Sequence, residues 1–218
     1  MGVSVQLTNC LGNTNFNNER WFAIEKVVMV QVLKPEIRDR MLVAAMHVFY
    51  DKGFREARMA DIAAQAEVST SLLYSYFKNK SELFDAVIAD VPTDFEQIAI
   101  AEEQADAADP LGRYLAVTHG YLQVLLTHHR AFVILMDKSQ GSIHEGAKSK
   151  LISAVEAHIG RSMARCAAEN LPALLPHVLA NNFVEGLLEV ARHFENEAQA
   201  MKLLDLIMQC YYEGVNSL

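Results

Sequence analysis

The chain has 218 residues, a net charge of −8 and 51% apolar residues. That length allows one domain of ordinary size with a small second one, and the apolar share allows a sizeable core. No run of about 18 uncharged apolar residues occurs, which argues against a helical membrane span. Three scattered cysteines, Cys10, Cys166 and Cys210, argue against a disulfide framework and fit a reducing, cytoplasmic setting.

Residues 1–33 read as an extension set apart from the rest. Asn9 to Asn18 is rich in Asn and reads as loop or disorder. Met29 is an alternative start, so the first 28 residues need not belong to the native protein. Pro35 precedes a first helix from about Glu36 to Lys52, closed by Gly53. Its apolar residues Ile37, Met41, Ala44, Ala45, Val48 and Phe49 form one face. A second helix is expected near Met59–Ala66 and a third near Ser69–Phe77, with Ser69 placed to cap the third. Val68 lies in the connection, where a buried side chain pins two helices together. This is the anatomy of a helix-turn-helix, whose second helix enters the DNA major groove. Ser81-Glu82 opens a fourth helix that continues to about Ala89.

The same segment resembles the DNA-binding domain of the TetR (tetracycline-repressor-like) family of bacterial transcription regulators. The resemblance is carried by Ala45, Phe49, Gly53-Phe54, Asp61-Ile62-Ala63, Ala66, Val68-Ser69, Leu73-Tyr74, Tyr76-Phe77, Lys80 and Glu82-Leu83. It covers roughly residues 37–85. Two positions depart from the family pattern. Arg58 stands where a capping Thr is common, and Glu67 stands where Gly is common in the turn. The division this implies is 34–80 for DNA binding and 81–218 for regulation and dimerisation.

The recognition helix sorts its residues by angle. Leu73 and Phe77, four apart, belong in the core, while Thr70, Ser71, Tyr74 and Ser75 fall on the exposed face. The resemblance places Tyr74 against the DNA backbone and Lys80 against a phosphate. Arg58, Ser69 and Lys78 complete the expected DNA-binding set. The acidic total does not oppose this reading. Residues 34–90 carry 8 basic and 9 acidic residues, whereas residues 91–218 carry 9 and 16. Local placement of cations, not the total, sets phosphate affinity.

The remainder reads as helical throughout, with helices expected over Leu111–Leu126, Arg130–Asp137, Glu145–Glu169, from the Pro172/Pro176 region to Phe194, and Glu197–Tyr212. The fold class is therefore all-α, with about nine helices. Tyr114, His119, Tyr121, Leu122, Leu125, Phe132, Met136 and Phe183 could line a mainly apolar cavity for a small, apolar effector. The same residue types also make plain core. Phe183, Leu187 and Leu188, then Leu203, Leu204, Ile207 and Tyr211, mark two wide apolar faces. The resemblance assigns the last two helices to a homodimer interface, whose two-fold axis matches a palindromic double-stranded operator.

No metal-ligand spacing, phosphate loop or nucleophile elbow appears, so neither metal, cofactor nor catalytic residues are expected. The resemblance implies a regulator, most often a repressor released from its operator when effector binding shifts the dimer between two geometries. The alternative is a helical small-molecule-binding module of the same fold without a role in gene regulation.

Overall fold

A computed structural model describes residues 34–107, 109–165 and 171–216. The expectations for residues 1–33 lie outside these. Every regular element among the described residues is helical, and the all-α expectation holds. In chain order they are α1 (Pro35–Glu56), α2 (Met59–Gln65), α3 (Thr70–Tyr76), α4 (Lys80–Ile88), α5 (Phe95–Gln104) and α6 (Pro110–Arg113). A π-helical segment (Tyr114–Thr118) follows, then α7 (His119–Thr127), α8 (His129–Asp137), α9 (Ala147–Arg165), α10 (Leu175–Arg192) and α11 (Glu197–Asn216).

Local chemistry sets the first four. Pro35 starts α1, where its missing N–H costs nothing. The chain kinks at Gly53, whose φ of 73° is open to glycine at little cost. This bend lets the Phe54 N–H bond to the Lys138 carbonyl at 2.7 Å, tying the end of α1 to the α8–α9 connection. Arg58 precedes α2 without a side-chain cap, as its departure from the family pattern implies. Glu67 occupies the turn between α2 and α3 with φ 53°, the left-handed region that glycine tolerates best. Ser69 caps α3 by accepting from the Leu72 N–H at 3.1 Å. The fourth helix begins earlier than Ser81. Asn79 is its cap, accepting from the Glu82 N–H at 2.9 Å, and the Glu82 carboxylate accepts from the Lys78 N–H at 2.8 Å. Two otherwise unpaired backbone donors are thus satisfied.

The main core runs from α1 to α11, and a small second cluster of Ile159, Met163 and Ala180 lies between α9 and α10. Phe84 of α4 packs edge-on against Phe49 and Phe54, with ring centroids 5.1 Å away in each case, and stacks on His144 of the α8–α9 connection. In α8, Ala131 to Met136 are all buried, so this helix is apolar on every side and sits in the centre. Asp137 at its end gathers Arg192 of α10 (Nη2, 2.6 Å) and Lys148 of α9 (3.2 Å). These ion pairs fix the mutual rotation of α8, α9 and α10.

Helix α5 was not foreseen as a separate element, although Phe95, Ile98, Ala99 and Glu102 recur at helix spacing. The expected helix over 111–126 is instead α6, the π segment and α7 in succession. One wider turn at Tyr114–Thr118 shifts the helical phase between its two ends.

Candidate functional site: an exposed helix face and a cavity

Helix α3 presents two unlike faces. Leu73, and Phe77 just beyond its end, are buried, and Val68 packs beside them. Ser69, Thr70, Ser71, Tyr74, Ser75 and Lys78 are all exposed, Tyr74 at 49%. Tyr76 does different work: its hydroxyl accepts from the Lys34 N–H at 2.8 Å and so anchors the entry to α1. Some α3 hydroxyls are already engaged. The Ser75 hydroxyl donates to the Leu72 carbonyl at 2.7 Å, and Ser69 and Ser71 share a hydrogen bond at 3.0 Å. Arg58 is exposed at the start of α2.

Lys80 departs from the phosphate-contact expectation. Its ammonium donates to the carbonyls of Phe54 (2.6 Å), Ala57 (3.0 Å) and Arg55 (3.2 Å). It also lies 4.4 Å from the centre of the Phe54 ring. Three acceptors use all three of its N–H donors. In this geometry Lys80 joins the start of α4 to the α1–α2 corner and has no donor left for a phosphate. That leaves Lys78, exposed beside the end of α3, as the nearer cation.

The second feature is a partly open cavity of about 80 Å³ lined by α5, the π segment, α7, α9, α10 and α11. Its wall is mostly apolar and aromatic, with Phe95, Tyr121, Leu122, Leu125, Phe183 and Tyr211 among the lining residues. Of the residues expected to line a cavity, Tyr121, Leu122, Leu125 and Phe183 do so. Tyr114, His119, Phe132 and Met136 do not. Phe132 and Met136 are buried in the core on α8. Tyr114 donates to Asp205 at 3.2 Å, and His119 lies 3.5 Å from the same carboxylate.

Four polar residues at the cavity wall were not foreseen: Glu102, Thr118, His158 and Tyr212. Glu102 is only 4% exposed. Its carboxylate accepts from the Tyr212 hydroxyl at 2.5 Å and from the Thr118 hydroxyl, and lies 3.4 Å from His158 Nε2. His158 Nδ1 bonds Glu103 at 2.9 Å, and Glu103 in turn accepts from Arg161 at 2.9 Å. His158 thus bridges two carboxylates from α5. Burial raises the Glu102 proton affinity, but bonds from His158, Thr118 and Tyr212 outweigh it and hold the carboxyl below its ordinary range. Burial lowers that of His158, and the bonds and charges of Glu102 and Glu103 reverse the effect and raise it. Burial and then the Glu102 charge push the Tyr212 phenol well up, so it stays a donor at any ordinary pH. The sequence signal was one charged residue at the fourth position of the α5 apolar face.

The expected dimer residues are also partly inside the protomer. Leu187, Leu188 and Leu204 are buried in its own core, and Phe183 and Tyr211 pack on each other at the cavity. Phe183 and Tyr211 are half-buried there. On α11 the outward apolar residues are Leu203 (47% exposed) and Leu206 (52%), with Ile207 half-buried beside them.

Comparison with known proteins bears on the first of these two features. The family described as "Bacterial regulatory proteins, tetR family" matches residues 41–87. The HTH-type transcriptional regulator TtgR of Pseudomonas putida is 36% identical over 77 residues, 35% of this chain and 37% of that protein. The HTH-type transcriptional regulator BetI of Cronobacter sakazakii is 26% identical over 156 residues, 66% of this chain and 77% of that one. A TetR-family transcriptional regulator from Bordetella parapertussis has the same fold at 21% identity and TM-score 0.55, covering 85% of this chain and 98% of that one. A TetR-like regulator from Rhodococcus sp. RHA1 gives 23% and 0.54, covering 84% and 100%. Residues 41–87 therefore match the tetR family of bacterial regulatory proteins, and the helical fold resembles that of TetR-like regulators. The chain's match to TtgR spans only 37% of that relative's length.

Proposed function

We propose that the chain is a DNA-binding transcriptional regulator, a repressor released from a palindromic operator by a small, mainly apolar molecule. One observation carries the reading. Within the family-matched segment, α3 buries Leu73 and turns Thr70, Ser71 and Tyr74 outward on a short, capped helix. A recognition helix needs such a face: small hydroxyl residues for close approach and an aromatic hydroxyl for the backbone. Arg58 and Lys78 add phosphate contacts, and Lys80 holds the helices in register. Residues 34–80 then form the DNA-binding part and residues 81–218 the regulatory part. Such a regulator works in the cytoplasm, where its DNA is. Among the described residues no helix is long and apolar enough to cross a membrane.

Effector binding in the cavity supports release by a defined route. Helices α5, α7, α9, α10 and α11 line the cavity, and α9 follows the connection that touches the DNA-binding helices. That connection bonds Phe54 through Lys138, and His144 bonds Asp85 of α4 at 2.8 Å. A filled cavity would move α9 and carry α4 with it. The active species is a homodimer through the outer faces of α10 and α11, with Leu203 and Leu206 in place of the buried Leu204. A gel-shift assay with DNA from upstream of the coding region tests the reading. Specific retardation that survives competitor DNA supports it. Retardation that competitor removes leaves the chain a binding module of the same fold.

A further inference from the structure

The polar end of the cavity has a particular geometry. Two of the contacts to Glu102, from Thr118 and Tyr212, are short, while His158 Nε2 stands off at 3.4 Å. His158 Nδ1 is committed to Glu103 at 2.9 Å. When the imidazole is neutral, Nδ1 carries its one hydrogen toward Glu103, and Nε2 is a bare lone pair facing a carboxylate. Two acceptors 3.4 Å apart then confront each other beside an apolar wall. A nitrogen at hydrogen-bond distance, about 2.9 Å, from both closes a triangle on that base.

We propose, on the reading that this cavity is the effector site, that it takes a small apolar molecule bearing a primary or secondary ammonium, which donates one N–H to Glu102 and another to His158 Nε2. The charge balance fits. Glu102 and Glu103 approach His158 from α5, Arg161 lies near it on α9, and Tyr211 and Tyr212 face it from α11. Tyr114, on the π segment and bonded to Asp205, stands behind. Below the pKa of His158, the empty cavity sets the Glu102 and Glu103 carboxylates against a protonated His158, with the Arg161 guanidinium on Glu103. In the filled cavity the ammonium enters and His158 gives its Nε2 proton to solvent, so the total is unchanged. A carboxylate ligand would face Glu102 with no uncommitted cation among the described residues to meet it, which is costly in a buried site. A quaternary ammonium brings no N–H for Nε2.

The exchange has a thermodynamic signature. Glu102 and Glu103 raise the proton affinity of His158 above its ordinary value. Below that raised pKa each unit fall in pH weakens ammonium binding about tenfold, because a proton must leave; between it and the pKa of the amine itself, binding is independent of pH.

Calorimetric titration of the full chain with four probes of one tail tests this: hexylamine, hexanol, hexanoate and hexyltrimethylammonium, each in two buffers of different ionisation heat. The expected result is that hexylamine binds at least tenfold tighter than hexanol and hexyltrimethylammonium, with hexanoate silent. Up to one proton should be released, and none from His158→Gln. Glu102→Gln should lower hexylamine affinity at least tenfold; the probe series on the unaltered chain decides the matter if that variant does not fold. Hexanol equal to hexylamine, or hexanoate tightest, overturns the ammonium site while leaving the cavity a ligand site. Hexyltrimethylammonium equal to hexylamine overturns the two-donor geometry. Silence from all four, with the helical circular dichroism intact, overturns the ammonium site and the effector reading together.

Discussion

The two ends of the molecule handle polar groups in opposite ways. From α1 to α4 no described polar side chain is fully buried, and Ser69 and Asn79 cap helices while Lys80 bonds carbonyls at the edge of the core. Around the cavity, Glu102 is buried, and His158 and Glu103 are each only 14% exposed at the side chain. Exposed donors can meet a polyanion at little desolvation cost, and their attraction falls as salt rises. Buried charges keep their strength in salt but need partners in the protein, and they discriminate sharply between ligands. The arrangement suits a protein that grips DNA at one end and selects a small molecule at the other.

The largest expected effect breaks the link between the ends. Phe84→Ala removes a fully buried ring that touches Phe49, Phe54 and His144. It should cost about 3–5 kcal/mol in urea unfolding. A cost below about 1 kcal/mol would mean that α4 is not packed into the common core.

Next comes the buried carboxylate. Tyr212→Phe leaves Glu102 short of its 2.5 Å donor and should cost about 1–3 kcal/mol. The pH dependence follows from the same group of residues. His158 has a raised pKa when folded, so its contribution is full below its unfolded value and fades as pH rises through the folded one. Glu102 and Glu103 are lowered, so their contribution is present above the ordinary carboxyl range and fades as pH falls through the folded values. Thermal unfolding of the native chain should therefore lose stability on both sides of a window in mildly acid solution. His158→Gln should remove the loss on the alkaline side, and an unaltered profile would detach His158 from the carboxylates.

Lysine pairs sharpen the comparison further. Lys80→Ala should lower stability by about 1–3 kcal/mol through its lost charge-assisted bonds, and leave the salt slope of DNA binding unchanged. Lys78→Ala should leave stability alone and reduce that slope by about one. Equal slopes for the two variants would return Lys80 to the phosphate contacts. The smallest effect is at the turn. Glu67→Gly relieves a φ of 53° and should stabilise by about 0.5–1 kcal/mol without changing DNA affinity.

These two ends differed equally in how far the sequence revealed them. Ser69, Leu73, Tyr74 and Phe77 lie within nine residues, so helix periodicity alone sorts inside from outside. The cavity is assembled from residues far apart in the chain: Tyr212 reaches Glu102 across 110 positions. No local pattern announces such a contact. The π segment further obscured it, because its wider turn shifts the helical phase between Tyr114 and Tyr121, and residue type alone did not separate the two. On α10 and α11 the apolar faces were legible, yet Leu187, Leu188 and Leu204 turned out to serve the protomer itself. A hydrophobic stripe does not reveal which neighbour it covers. Lys80 shows the same limit on a small scale: its three carbonyl partners lie 23 to 26 positions away.

The central claim is that the outward face of α3 grips a specific DNA site. Fluorescence anisotropy with labelled upstream DNA tests it most directly, comparing the unaltered chain with Tyr74→Ala over a range of salt. The account predicts saturable binding that resists nonspecific competitor, with log affinity falling linearly against log salt. Tyr74→Ala should bind at least tenfold more weakly while melting at the same temperature, since its side chain is 49% exposed and outside the core. Equal affinity for the two proteins, or binding that any competitor DNA removes, would contradict it.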